Sequence, residues 1–185
     1  MKSVLTIGYG DRSVHELVDL LKRESVQFLI DVRSSPYSRF KPDFNREALK
    51  RAIESHRLHY LFMGDCLGGR PSESEGYDAD GRVDYQSVAE SQGFRSGIER
   101  LLVAHNKGLS IALMCSELRP EQCHRSKLIG KHLEQVGISV LHVDENGSRI
   151  CQSELIARIT GGQEDLFGNS AQTSRSRGKY KPTSA

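Results

Sequence analysis

The chain has 185 residues, 37% of them hydrophobic, and a formal net charge of +2. That is long enough for one domain with a sizeable core plus a tail. No apolar run approaches the ~20 residues of a membrane helix, and Met1–Ile7 lacks the features of a secretion signal, so a cytoplasmic location and no membrane are expected. After Gly161 the basic residues Arg175, Arg177, Lys179 and Lys181 face only Glu164 and Asp165, which leaves the rest of the chain neutral. Overall charge therefore gives no argument for nucleic-acid binding, and any such argument must be local.

Strand-like and helix-like patterns alternate along the chain. Ser3–Tyr9 reads as a strand. Ser13 and Glu16 form a capping box ahead of an apolar helical face of Val14, Leu17, Val18 and Leu21. Gln27–Val32 reads as a second strand, Asn45–Ser55 as a helix and Leu58–Met63 as a third strand. Gly64–Arg82, rich in Gly, Ser, Asp and Glu, reads as a long loop. Phe94, Ile98, Leu101 and Leu102 mark a helix that runs to about Asn106, and Leu109–Leu113 leads a strand into Cys115. A helix after Pro120 closes at Gly137, Ile138–Val143 is a fifth strand, and Ser153–Ile159 is a last short helix. The order predicts a Rossmann-like three-layer α/β/α domain over residues 1–160, with a mostly parallel sheet of about five strands. Gly161–Ala185 is polar and is expected to be a flexible tail.

Parallel strands place their C-terminal ends on one edge, where ligands bind in such folds. The residues just past those ends are Gly8, Tyr9 and Gly10, then Asp31 and Arg33, then Gly68 and Gly69, then Cys115 and Glu117. Their convergence predicts a ligand crevice. The loop Arg33–Lys41 interleaves Arg33, Arg39 and Lys41 with Tyr37 and Phe40, a composition suited to phosphate contacts and base stacking.

The densest chemistry lies in Met114–Arg125, which holds Cys115, Glu117, Cys123, His124 and Arg125. A nucleophilic thiolate is one reading of its cysteines, given nearby cations. Small buried residues at a strand end are another. Metal binding is the third, but standard zinc spacing is missing and adjacent helical residues point in different directions, so no metal and no cofactor are expected. A phosphatase-type Cys-x5-Arg loop is excluded, because position 121 is Glu. Asp31, Glu117 and His124 are the acid/base candidates, and Arg33, Arg39 and Arg125 the phosphate-binding ones.

Four motifs occur in order. They are Thr6-Ile7-Gly8-Tyr9-Gly10, Asp31-Val32-Arg33-Ser34-Ser35-Pro36-Tyr37-Ser38-Arg39-Phe40, Leu67-Gly68-Gly69, and Cys115-x-Glu117-x5-Cys123-His124-Arg125. Together they resemble the domain of unknown function 488 family across about Met1 to Asp144. The resemblance implies a Rossmann-like domain with these motifs gathered in one pocket, and no settled activity. In the tail, Gln163-Glu164-Asp165-Leu166-Phe167 resembles the pentapeptide that binds the bacterial DNA sliding clamp. Gln163, Asp165, Leu166 and Phe167 are then the partner-binding residues. The expected function is a nucleotide- or nucleic-acid-processing hydrolase, with a role in DNA repair. The alternatives are a non-catalytic module for an anionic ligand or nucleic acid, and a thiol redox or metal protein.

Overall fold

The computed structural model describes residues 3–72, 76–161 and 174–180. The expected clamp-like pentapeptide at Gln163–Phe167 lies outside the described residues. The chain runs through β1 (Val4–Gly8), α1 (Val14–Arg23), β2 (Phe28–Asp31), α2 (Arg46–Ser55) and β3 (His59–Phe62). Then come α3 (Gly64–Leu67), β4 (Arg82–Asp84), α4 (Tyr85–Glu90), α5 (Gln92–Asn106) and β5 (Ile111–Cys115). α6 (Lys131–Gln135), β6 (Val140–Val143), β7 (Arg149–Cys151), α7 (Gln152–Thr160) and β8 (Arg175–Lys179) follow.

The capping box at the start of α1 is formed. Glu16 N–H donates to Ser13 Oγ at 3.2 Å, and Ser13 N–H donates to Glu16 Oε2 at 2.7 Å. The buried face of α1 is Leu17, Val18 and Leu21, as its spacing predicts. Period-two alternation then sorts each strand between two cores. On β5, Ile111, Leu113 and Cys115 face the core built with α5 and the helix after Pro120. Ala112 and Met114 face the core built with α1 and α2.

The main sheet has six strands in the order β3-β2-β5-β1-β6-β7. Its neighbours are parallel except for β6 and β7. With helices on both faces this is a Rossmann-like three-layer α/β/α fold, as expected. The sixth strand comes from a tight turn, in which Asp144 Oδ1 accepts from the N–H groups of Asn146 and Ser148, and Gly147 takes φ +78°.

Other elements differ from the sequence reading. β4 and α4 follow the segment read as loop, and α3 opens it. β8 falls within the stretch expected to be flexible and pairs antiparallel with β4. Arg175-Ser176-Arg177-Gly178-Lys179 has no apolar alternation. Its anchors are polar: Ser176 Oγ accepts from Val83 N–H at 2.9 Å, and Arg175 pairs with Asp78 at 3.3 Å. The single helix expected after Pro120 is in three pieces: a 3-10 turn at Pro120–Gln122, a π-helix at Arg125–Gly130, then α6.

Candidate active site

β1, β2 and β5 end side by side, with Gly8 opposite Cys115 and Asp31 opposite Met114. The chain leaving each strand folds over this edge and encloses a cleft of ≈ 260 Å³. Tyr9, Arg33, Tyr37 and Gly69 line it, as do Cys115, Glu117 and His124. The fold thus brings these seven residues together at the strand edge.

The floor of the cleft is built around His124. Its Nε2 lies 3.0 Å from the Val32 carbonyl, which can only accept, so Nε2 carries the proton. The other nitrogen, Nδ1, is then directed at two sulfurs, 3.7 Å from both Cys115 Sγ and Cys123 Sγ. Cys115 Sγ lies 4.0 Å from Glu117 Oε2. Gly69 packs on the imidazole so closely that an added Cβ would lie 2.6 Å from His124 Cγ. Cys123 and His124 both reach Cys115 because they straddle a change of backbone. Cys123 is extended (φ −111°, ψ 147°) and His124 is helical (φ −61°, ψ −23°). Two adjacent residues on one helix would diverge; here the break between the 3-10 turn and the π-helix brings both side chains together.

These groups set one another's charge. A hydrogen bond from Cys123 lowers the Cys115 pKa well below the usual thiol value, against the opposing effect of burial, and the His124 charge assists. Burial and the Cys115 charge push Cys123 up. Cys115 is therefore the thiol of the pair that ionises first. Burial acts most strongly on His124 and depresses it, but the charge and hydrogen bond of Cys115, the Glu117 charge and the Val32 carbonyl together outweigh burial and the imidazole pKa is raised. Burial, then the Cys115 charge, raises Glu117.

The wall is cationic and aromatic. Arg33 is held by Asp31, with Nε donating to Oδ1 at 2.9 Å and Nη2 to Oδ2 at 2.6 Å. Tyr60 donates to Oδ2 at 2.6 Å. Asp31 is fully buried and does not line the cleft, so its carboxylate aims Arg33 rather than meeting a ligand. Tyr9 stacks on Phe44 at 4.1 Å, with the Arg33 guanidinium 5.3 Å from its ring centre. Arg70 lies 4.0 Å from the Tyr180 ring centre, and Arg177 Nη1 donates to Gln122 Oε1 at 2.6 Å.

Other predicted residues support the cleft from outside it. Gly8 gives room for the chain after β5, since a Cβ there would lie 1.9 Å from the Glu117 carbonyl oxygen. Gly10 takes φ +45° against Leu118, and Gly68 packs on Ser34 Oγ. Arg39 is exposed and stands apart from the cleft lining. Cys123 and Arg125 are buried behind it. Tyr85, Ser176, Arg177 and Tyr180 line the cleft without having been singled out. Tyr85 lies between the segment read as loop and the helix marked by Phe94, in a stretch given no element. The other three belong to the stretch read as a flexible tail, beyond its clamp-like pentapeptide.

Behind the floor runs a buried polar chain. Thr6 Oγ1 lies 2.7 Å from His142 Nδ1, His142 Nε2 lies 2.5 Å from Gln152 Oε1, and Gln152 Nε2 donates to the Ser126 carbonyl at 3.0 Å. Gln152 thus satisfies a carbonyl of the π-helix from α7. Arg125 is fully buried; its Nη2 donates to the Leu118 carbonyl at 2.8 Å, while Nε and Nη1 have no partner among the described residues.

The fold and cleft define a Rossmann-like α/β protein with an arginine-lined cleft at the strand C-terminal edge. The chain belongs to the family described as domain of unknown function DUF488, whose model matches residues 13–131. That span takes in the second, third and fourth motifs of the resemblance. No curated protein and no solved structure matches the chain. Among the described residues no helix is long and apolar enough to cross a membrane.

Proposed function

We propose that the chain is a hydrolase that binds a phosphate-bearing substrate, a nucleotide or a nucleic-acid end, in this cleft. One observation carries the reading: Arg33, Arg70 and Arg177 line a cleft that Tyr9, Tyr37, Glu117 and His124 also line. Guanidiniums hold phosphate oxygens, and aromatic faces stack on bases. Glu117 is the proton-transferring group, since it faces the cleft beside Cys115. If the reaction passes through a covalent intermediate, Cys115 is the nucleophile, because it lines the cleft and Cys123 does not.

The test is binding and turnover of single-stranded oligonucleotides and nucleotides by the full chain. Arg70→Ala and Arg177→Ala are each expected to weaken binding and reduce its salt slope by about 1. Unchanged affinity and slope in both would remove the phosphate assignment. Glu117→Gln is expected to bind and not turn over. Binding without turnover by the wild type would instead make the cleft a non-catalytic reader.

The tail pentapeptide extends the proposal to a partner. Leu166 and Phe167 fill an apolar pocket of the bacterial sliding clamp while Gln163 and Asp165 make polar contacts, which brings the domain to DNA for a role in repair. A clamp pull-down with and without Gln163–Phe167 tests this, and equal recovery would overturn it. A cytoplasmic setting fits the free thiols Cys66, Cys115, Cys123 and Cys151.

A further inference from the structure

We propose that Cys115, Cys123, His124 and Glu117 form a binding site for a single zinc-type divalent ion. The sequence spacing argues against a metal, and the three-dimensional arrangement overrides that argument. The ligand atoms of these residues all lie within 4.8 Å of one another. A tetrahedral ion with bonds of about 2.3 Å to sulfur and about 2.0 Å to nitrogen or oxygen requires ligand–ligand edges of about 3.6 Å. The two sulfur–nitrogen separations are 3.7 Å each and the sulfur–carboxylate separation is 4.0 Å. The other three edges of the tetrahedron are no longer than 4.8 Å, so closing it on an ion requires inward movement of about 1 Å or less along any edge.

The imidazole supplies the second argument. With Nε2–H given to the Val32 carbonyl, a neutral His124 has one lone pair, on Nδ1, and two sulfurs at equal distance from it. Whether Nδ1 carries that lone pair or a proton, it makes one hydrogen bond and cannot serve both sulfurs well. A central cation engages the nitrogen and both sulfurs at once. Metal-ligating histidines commonly donate their second nitrogen to a backbone carbonyl in this manner.

Charge supplies the third. Two thiolates, one carboxylate and a divalent ion sum to a single negative charge. Arg125 is fully buried next to this cluster, acts electrostatically on both Glu117 and Cys123, and leaves Nε and Nη1 unpartnered among the described residues. A buried cation needs a compensating anion, and the loaded centre provides one. Soft thiolates favour zinc over magnesium or calcium. On loading, each protonated thiol gives its proton to solvent. Glu117, the one donor of the four that is only partly buried and a cleft-lining one, is the corner that yields to a water or substrate oxygen. The proposal does not rest on the proposed reaction, and it survives if no hydrolysis is found.

The experiment is cobalt(II) titration of the full chain, stripped with chelator and kept reduced, with thiols quantified beforehand. The expected result is saturation at a single ion per chain, with sulfur-to-cobalt charge-transfer absorption and the intense visible bands of a tetrahedral centre, displaced by zinc. Cys115→Ser and Cys123→Ser should lose the charge-transfer intensity, and Cys66→Ser and Cys151→Ser should keep it. Absence of the charge-transfer band in reduced wild type overturns the proposal without reference to any variant. So does a band that survives in Cys115→Ser/Cys123→Ser. Zinc content measured on protein purified without chelator gives a second readout, independent of catalysis.

Discussion

Removing the Asp31 carboxylate tests whether Arg33 owes its place to a buried ion pair. Arg33 is 4% exposed and Asp31 0%, and Arg33 gives the carboxylate a forked contact and a backbone N–H at 3.1 Å. Asp31→Ala strands a buried guanidinium and deprives the Tyr60 hydroxyl of its acceptor. Breaking such a pair from one side costs about 3–5 kcal/mol. For a chain of this size that corresponds to a fall in Tm of roughly 10 °C. Urea unfolding of Asp31→Ala, Arg33→Met and the double variant measures the cost and the coupling. The double variant should lose less than the two single losses combined, since no charge is then left buried alone. A loss below about 1 kcal/mol in Asp31→Ala, the value of an exposed pair, would refute the reasoning. So would strict additivity.

The other predictions address separate parts of the molecule. Burial depresses the His142 pKa to about 4 from 6.5, despite the hydrogen bond that its Nε2 gives to Gln152 Oε1. The folded chain then refuses a proton that the unfolded chain takes up. Stability should be fully present above about pH 6.5 and fall by about 3 kcal/mol as pH drops to about 4. His142→Gln should flatten that part of the curve, and an unchanged slope would show that other groups cause it. In Gly69→Ala, the new Cβ would meet His124 Cγ at 2.6 Å. Displacement of the imidazole should cost about 1–3 kcal/mol and disturb the site's function more than its fold, read by Tm beside binding or turnover. Ser176→Ala leaves the buried Val83 N–H without its acceptor. It should free β8 and speed proteolysis of the tail, while the melting of the main sheet changes by no more than about 1–3 kcal/mol; unaltered cleavage kinetics would count against that anchor.

The legible part of this fold is its hydrophobic part. β1, β2 and β5 are short apolar runs buried on both faces, and α1 carries both its cap and its stripe in the sequence. β4 and β8 were illegible because their stability comes from a side chain of one reaching the backbone of the other, a relation that no local pattern encodes. The site was legible as a set of residues at strand ends, through topology. The roles were less so. Asp31 follows an apolar run and sits at a strand end, as an acid/base residue would, yet its oxygens are taken by Arg33 and Tyr60. Cys123 and His124 looked divergent because a single continuous helix was assumed after Pro120. Arg125 looked like a surface phosphate ligand and is fully buried.

The π-helix at Arg125–Gly130 has a consequence for how the chain tolerates length changes. Such a segment amounts to an α-helix with a residue to spare. Deleting one residue there would give a more regular helix with better hydrogen bonds. It would also turn everything upstream by about 100° relative to α6. His124 precedes the segment directly, so its ring would swing off the Val32 carbonyl and away from both sulfurs. A shortened chain of this kind is expected to be sturdier and inert, and the extra residue is the point at which regularity has been given up for aim.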